Sequence, residues 1–156
     1  MVEQGGIEMD WRALFFSFSG RINRAKYWLA AVILTAVFVV PGMIAFATMS
    51  TLVWILVAVI FVAVAISGIA VGSKRLHDRD KSAWWLALFY LGPAFLGAIG
   101  DAAGGAGVIF HVISFGISIW AFIELGILRG TAGPNRFGPD PLATTAGQPG
   151  GAHSLS

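Results

Sequence analysis

Cysteine is absent from the 156 residues, so the chain has no disulfide, no thiolate metal ligand and no cysteine nucleophile. Charge is nearly as scarce. Asp, Glu, Lys and Arg make up 12% of the sequence, about half the roughly 25% of a soluble domain. The net charge of +2 is too small to point to nucleic acid. No P-loop, dinucleotide fingerprint, His-Glu metalloprotease motif or serine elbow is present, and no internal repeat of the transporter kind is visible. What remains is apolar: hydrophobic residues make up 57% of the chain, and the mean hydropathy is +0.80. In water such a composition would expose larger apolar patches than monomers tolerate, so lipid must be the solvent for most of the surface.

Four apolar stretches are long enough to cross a bilayer: 27–47, 52–71, 83–100 and 107–128. The first would measure about 31 Å as a helix, with a kink expected at Pro41-Gly42. The third begins at Trp84-Trp85, contains Gly92-Pro93 and is the shortest. Ahead of these, Asp10 reads as the N-cap of a short helix in which Trp11, Leu14, Phe15 and Phe18 share one face. Two turns cannot span, so this helix should lie in the interface and end at Ser19-Gly20. Residues 1–8 read as a disordered extension, residues 9–141 as the four-helix domain, and 142–156 as a disordered tail. Ala45-Phe46-Ala47 resembles a signal-peptidase site, but the run before it is too long and three more spans follow, so no cleavage is expected.

The basic residues orient the chain. Arg12, Arg21, Arg24 and Lys26 precede the first span. Lys74, Arg75, Arg79 and Lys81 separate the second from the third, and Arg129 and Arg136 follow the fourth. All lie on one side, which the positive-inside rule makes the cytoplasm, with both termini there. A third stretch that only dipped into the membrane would leave Arg129 and Arg136 outside, so four full crossings are expected.

The segment 72–82 concentrates the reactive groups. A basic loop of this kind touches anionic headgroups at about 1 kcal/mol per residue, and Arg75 stands at helical spacing from Asp78 and Arg79. A sharper reading pairs His77 with Asp78 as acid and base and gives Arg75 a phosphate. Adjacent residues of a helix point in different directions, however, and no second ligand cluster accompanies them. The structural reading is preferred. Glu124 is an acid about one turn inside the fourth span, expected to pair with Arg129 or with a cation from another segment. His111, about 20 Å away along the same helix, should face the opposite interface. Three G-x-x-x-G spacings (Gly68/Gly72, Gly100/Gly104, Gly126/Gly130) are a weak signal in a chain with 20 Gly.

Three polar blocks carry a resemblance. Phe18-x-Gly20-Arg21-x-x-Arg24-x-x-Tyr27-Trp28 resembles the opening of a family of small bacterial inner-membrane proteins, the domain of unknown function 805 (YhaH-like) family. Arg75-Leu76-His77-Asp78, followed by Ser82-x-Trp84-Trp85 and Pro93, is similar to its middle, and Asn135-Arg136-Phe137-Gly138-Pro139-Asp140-Pro141 to its end. Ala83 stands where the family usually has Gly, and Lys74 where a second Arg is common. The resemblance implies a multi-pass protein of the bacterial cytoplasmic membrane and supplies no reaction. It also suggests a translation start at Met9.

The expectation is therefore an all-α integral membrane protein: a bundle of four transmembrane helices with a short interfacial helix and a cytoplasmic cap of loops. In that cap Asp78 and Asp140 should pair with some of Arg21, Arg24, Arg75 and Arg136, and Phe137 should dock on Trp84 or Trp85. Gly20, Gly133 and Gly138 should permit its tight turns. The function expected is non-catalytic, without cofactor or metal. The partners expected are the bilayer, anionic phospholipid headgroups, and a second copy or another membrane protein. The rival reading is a small transporter or membrane-embedded enzyme for an anionic substrate, with Arg21, Arg24, Arg75 and His77 as its pocket.

Overall fold

The structure is a computed structural model and describes residues 9–143. The expectations for residues 1–8 and 144–156 lie outside them. Among the described residues there are five α-helices: α1 (Trp11–Phe16), α2 (Arg24–Thr48), α3 (Thr51–Asp78), α4 (Trp85–Ala102) and α5 (Val108–Phe122). A 3-10 turn, Gly104–Gly107, precedes α5, and a π-helical turn, Ile123–Ile127, extends it. α2, α3, α4 and the run Gly104–Ile127 are each long and apolar enough to cross a membrane.

Local chemistry explains the boundaries. The Asn23 side chain accepts the Lys26 amide at 2.9 Å and starts α2, which continues through Pro41 to a left-handed Met49. α3 is the main departure from expectation. It runs to Asp78 rather than Val71, so the first half of the polar segment is helical. Its polar residues are matched: the Ser73 hydroxyl donates to the Ile69 carbonyl at 2.7 Å, and Lys74, Arg75 and Asp78 are buried with partners. Asp80, at φ 56, turns the chain out of the helix, a conformation open to Asp because its short side chain tolerates the left-handed region.

α2 packs on α3, and α4 on α5, as two antiparallel hairpins. The hairpins join at the basic end, where the π turn packs on α2 and α3. Both apolar clusters sit near this junction: Leu14, Ile22, Ala30 and Val71 in one, Leu76, Leu86, Phe89 and Leu125 in the other, with Tyr27 against each. Away from it the helices are mostly exposed, no more than 17% of any span's most apolar window being buried. At the far end α4 and α5 close on glycine. A Cβ at Gly107 would lie 2.0 Å from the Gly100 carbonyl oxygen, where no side chain fits. His111 stands beside it, half exposed and 3.4 Å from Asp101.

α1 differs from expectation in two ways. The Asp10 carboxylate caps it, accepting the Ala13 amide at 2.9 Å, but it ends at Phe16, so Phe18 lies outside the helical face. Leu14 also turns inward onto Ile22 and Val71 instead of toward acyl chains. Trp11 remains half exposed.

Candidate functional site: a polar cap at the basic end

The centre of the cap is Asp78, at the last turn of α3. Its Oδ2 accepts Arg75 Nη1 at 2.6 Å, and its Oδ1 accepts Arg21 Nε at 3.1 Å and Nη2 at 3.0 Å. All three side chains are almost fully buried. The helical spacing of Arg75 and Asp78 made the first pair legible. Arg21 arrives from the loop before α2, held by a left-handed Gly20 (φ +90).

Each arginine has donors left over, and these go to backbone carbonyls of the chain leaving α5. Arg75 donates from Nε to Leu125 at 2.8 Å and from Nη2 to Leu128. Arg21 donates to Thr131 at 2.6 Å, Gly133 at 2.7 Å and Gly138 at 3.2 Å. The last segment answers in kind. The Thr131 amide and hydroxyl donate to the Asp78 carbonyl at 2.8 and 3.1 Å, and the Asn135 side chain donates to the His77 carbonyl at 2.9 Å. Asn135 also forms a tight reciprocal turn with Gly138. The structure thus brings all three polar blocks together at one end.

Several expected contacts take other partners. Asp140 meets no arginine. Its carboxylate accepts the amides of Leu142 at 2.9 Å and Gly133 at 3.0 Å, and these two bonds hold its pKa below the usual carboxylate range. Arg136 pairs with Asp80 at 3.2 Å, an acid too far along the loop for helical spacing to reveal. Phe137 stacks on the His77 ring, centroids 3.9 Å apart and 7° from parallel, rather than on Trp84 or Trp85. Trp84 is exposed and Trp85 packs edge-on against Trp120 at 5.2 Å, because Ser82 starts the turn that carries both onto α4. His77 Nδ1 lies 3.2 Å from the Gly20 carbonyl. Arg21 and Arg75 therefore face Asp78 and backbone carbonyls, and His77 faces Phe137 and the Gly20 carbonyl, rather than the common anion pocket of the rival reading.

Glu124 does meet cations of another segment: Arg79 Nε and Lys81 Nζ, each 3.0 Å from Oε1. Arg129 offers it only a carbonyl neighbour, which accepts from Arg79 at 2.5 Å. Lys74 was read as a topological charge; its ammonium caps the carbonyls of Ala13 and Leu14 and ties α1 to α3. Thr131 was not singled out, and a lone Thr after Gly130 gives no signal. The glycine spacings were legible but acquire another meaning. Gly126 admits the Trp28 ring, whose Nε1 donates to the Gly126 carbonyl at 3.0 Å. Gly130 admits the Asp78 carboxylate, and Gly72 the Leu86 side chain. These are close approaches within one chain. Among the described residues no buried side-chain nitrogen or oxygen lacks a partner.

Four membrane-crossing helices, joined at one end by a cap around a buried Arg–Asp–Arg node, define a small multi-pass membrane protein. Comparison with known families agrees. The model of the family described as "Protein of unknown function (DUF805)" matches residues 15–139, and the chain belongs to that family. It is similar to "Inner membrane protein YhaH" of Escherichia coli (strain K12), with 30% identity over 144 residues, 85% of this chain and 97% of the relative. The protein of the same name from Escherichia coli O157:H7 matches to the same extent. No solved structure matches.

Proposed function

We propose that this protein resides in the cytoplasmic membrane with both termini inside and acts without catalysis, its cap engaging anionic phospholipid at the inner headgroup layer. The observation that carries the reading is how the charges divide. Asp78, Arg21, Arg75, His77 and Asn135, the groups best suited to chemistry, are consumed in holding the cap together. Arg12, Arg24, Lys26 and Arg129 meet no carboxylate among the described residues, and all four flank spans at the basic end. Cations so placed attract anionic headgroups. The orientation rests on the same asymmetry.

Because the chain has no cysteine, single cysteines report topology directly. Ser50→Cys and Gly105→Cys should react with an impermeant maleimide in intact cells, and Ala132→Cys only after permeabilisation; the reverse pattern overturns the orientation. Native mass spectrometry after gentle release should find anionic phospholipid retained in preference to zwitterionic lipid. A retained soluble metabolite instead would redirect the reading to transport or catalysis, and a stoichiometric second protein or second copy would redirect it to assembly.

A further inference from the structure

The N-terminal end of α2 borders a small cavity, and an open apolar groove lies further along the same helix. No acidic residue occupies the first turn of α2. Its cations Arg24 and Lys26 therefore add to the positive end of the helix dipole instead of opposing it. Arg24 is exposed, its guanidinium 3.5 Å from the Ile127 carbonyl. Together with Asn23, Arg129, Gly130, Leu142 and the flank of Asp78 it lines a pocket of about 150 Å³. Asp78 does not make the pocket acidic, because Arg75 and Arg21 hold its two oxygens. Two arginines without carboxylate partners among the described residues thus line one small cavity.

One helical turn further into the membrane the same face of α2 carries Trp28, and beyond it an apolar groove of about 370 Å³ runs past Ala31, Val32, Thr35, Ala36 and Val39. Arg24 and Trp28 stand four apart and so lie one above the other. Trp28 is fixed at this level by its bond to the Gly126 carbonyl and by its edge-on contact with Phe122 at 5.7 Å, and Trp favours the headgroup boundary. From Trp28 to Val40 the groove runs about 18 Å, the depth of one leaflet's hydrocarbon, about 15 Å, with a small margin.

We infer that this is a single anionic-phospholipid site: Arg24 and Arg129 take the phosphate, Asn23 and Gly130 frame it, Trp28 marks the glycerol level, and one acyl chain lies in the α2 groove. Arginine suits the role because its planar fork matches phosphate oxygens bidentately. This inference rests on the proposed lipid engagement of the cap and narrows it to one place and one lipid class.

The test is native mass spectrometry of the full chain in detergent, titrated with phosphatidylglycerol or with phosphatidylethanolamine carrying the same acyl chains. Thermal melting in lipid-free detergent confirms that each variant folds, which two exposed arginines without ion pairs should permit. Arg24→Ala with Arg129→Ala should lose about thirtyfold in phosphatidylglycerol affinity. Arg12→Ala with Lys26→Ala, which thins the surrounding positive field and leaves the pocket lining intact, should weaken it much less, and Ala36→Trp, which fills the groove, should weaken both lipids. An equal loss in the Arg12/Lys26 control means a diffuse field, which overturns the site and leaves the broader reading standing. Unchanged binding in the Arg24/Arg129 variant has the same consequence. Displacement of the lipid by inorganic phosphate at equal concentration would make this a soluble-anion site and overturn the inference. No preference for phosphatidylglycerol in any form removes both readings.

Discussion

A single methyl group at Gly130 tests the central node without deleting any charge. A Cβ built there lies 2.0 Å from Asp78 Oδ2, and the three nearest atoms all belong to that carboxylate. The φ of Gly130 is not in the left-handed region, so alanine brings a clash and no backbone strain. Relief requires the carboxylate to retreat by about 1.4 Å, from 2.0 Å to the 3.4 Å of ordinary contact. The Oδ2 atom is also held by Arg75 Nη1 at 2.6 Å, and a retreat of that size breaks the bond. Losing one buried charge-assisted hydrogen bond costs about 1.5–3 kcal/mol. If the carboxylate leaves both arginines, the cost approaches the about 3–5 kcal/mol of a broken buried pair. Gly130→Ala should therefore destabilise by about 2–4 kcal/mol, measured by denaturation in detergent with helical circular dichroism as the signal. Gly68→Ala, with no atom within 4 Å of its Cβ, is the control and should be neutral or gain up to about 1 kcal/mol. The cycle is completed in an Asp78→Ser background, where Gly130→Ala should cost less than about 0.5 kcal/mol. Equal costs in both backgrounds, or no cost in either, would refute the packing of Gly130 against Asp78.

Other parts of the cap yield smaller tests. Glu124→Gln leaves Arg79 and Lys81 without their shared anion; it should lower the melting temperature at low ionic strength, and the deficit should shrink with salt because both cations are about a quarter exposed. Trp28→Phe removes the donor to the Gly126 carbonyl and should cost about 1 kcal/mol, whereas Gly126→Ala, with its Cβ 2.7 Å from the Trp28 ring, should cost more. The Asp140 pKa is depressed by the Leu142 and Gly133 amides, so its contribution is complete above the unfolded value of about 3.9. It is lost as pH falls through the lower folded value. Hydrogen exchange of the Gly133 amide should accelerate across that acid window in the native chain and show no such step in Asp140→Asn.

The spans were legible because hydropathy over some twenty residues is a strong signal, and the basic end because all ten Lys and Arg fall there. Arg75–Asp78 was legible because both lie on one helix turn. The partners of Asp140 and Phe137 were not, because both depend on how the 131–141 turn folds back. Opposite charge suggested an arginine for Asp140, but two nearby amides satisfy it locally. The extension of α3 to Asp78 was missed for a related reason. A run of charged residues reads as a loop unless one knows that Leu125, Leu128 and Ala13 place carbonyls where those charges can be buried.

The position of the arginines follows from a problem peculiar to membrane helices. Where α5 passes through its π turn and leaves helical geometry, its last carbonyls lose their intrahelical donors close to the hydrocarbon, where water cannot replace them. Two such oxygens, those of Leu125 and Leu128, are met by Arg75, and three carbonyls of the segment beyond, those of Thr131, Gly133 and Gly138, accept from Arg21. Positive charge at a helix C-terminus is also favoured by the macrodipole. A guanidinium can serve carbonyls and carboxylate together because its five N–H groups point outward in one plane. Lysine concentrates its donors at one atom, so Arg75→Lys would keep the charge but abandon either Asp78 or the Leu125 and Leu128 carbonyls. Asp78 in turn keeps two buried cations from standing alone. The three sequence blocks therefore belong together for a physical reason. The first supplies Arg21, the second supplies Arg75 and Asp78, and the third, with the residues 125–133 that lead into it, supplies the carbonyls those arginines meet and the Thr131 and Asn135 groups that cap α3 in return. Removing any one of them exposes unpaired polar groups in the other two.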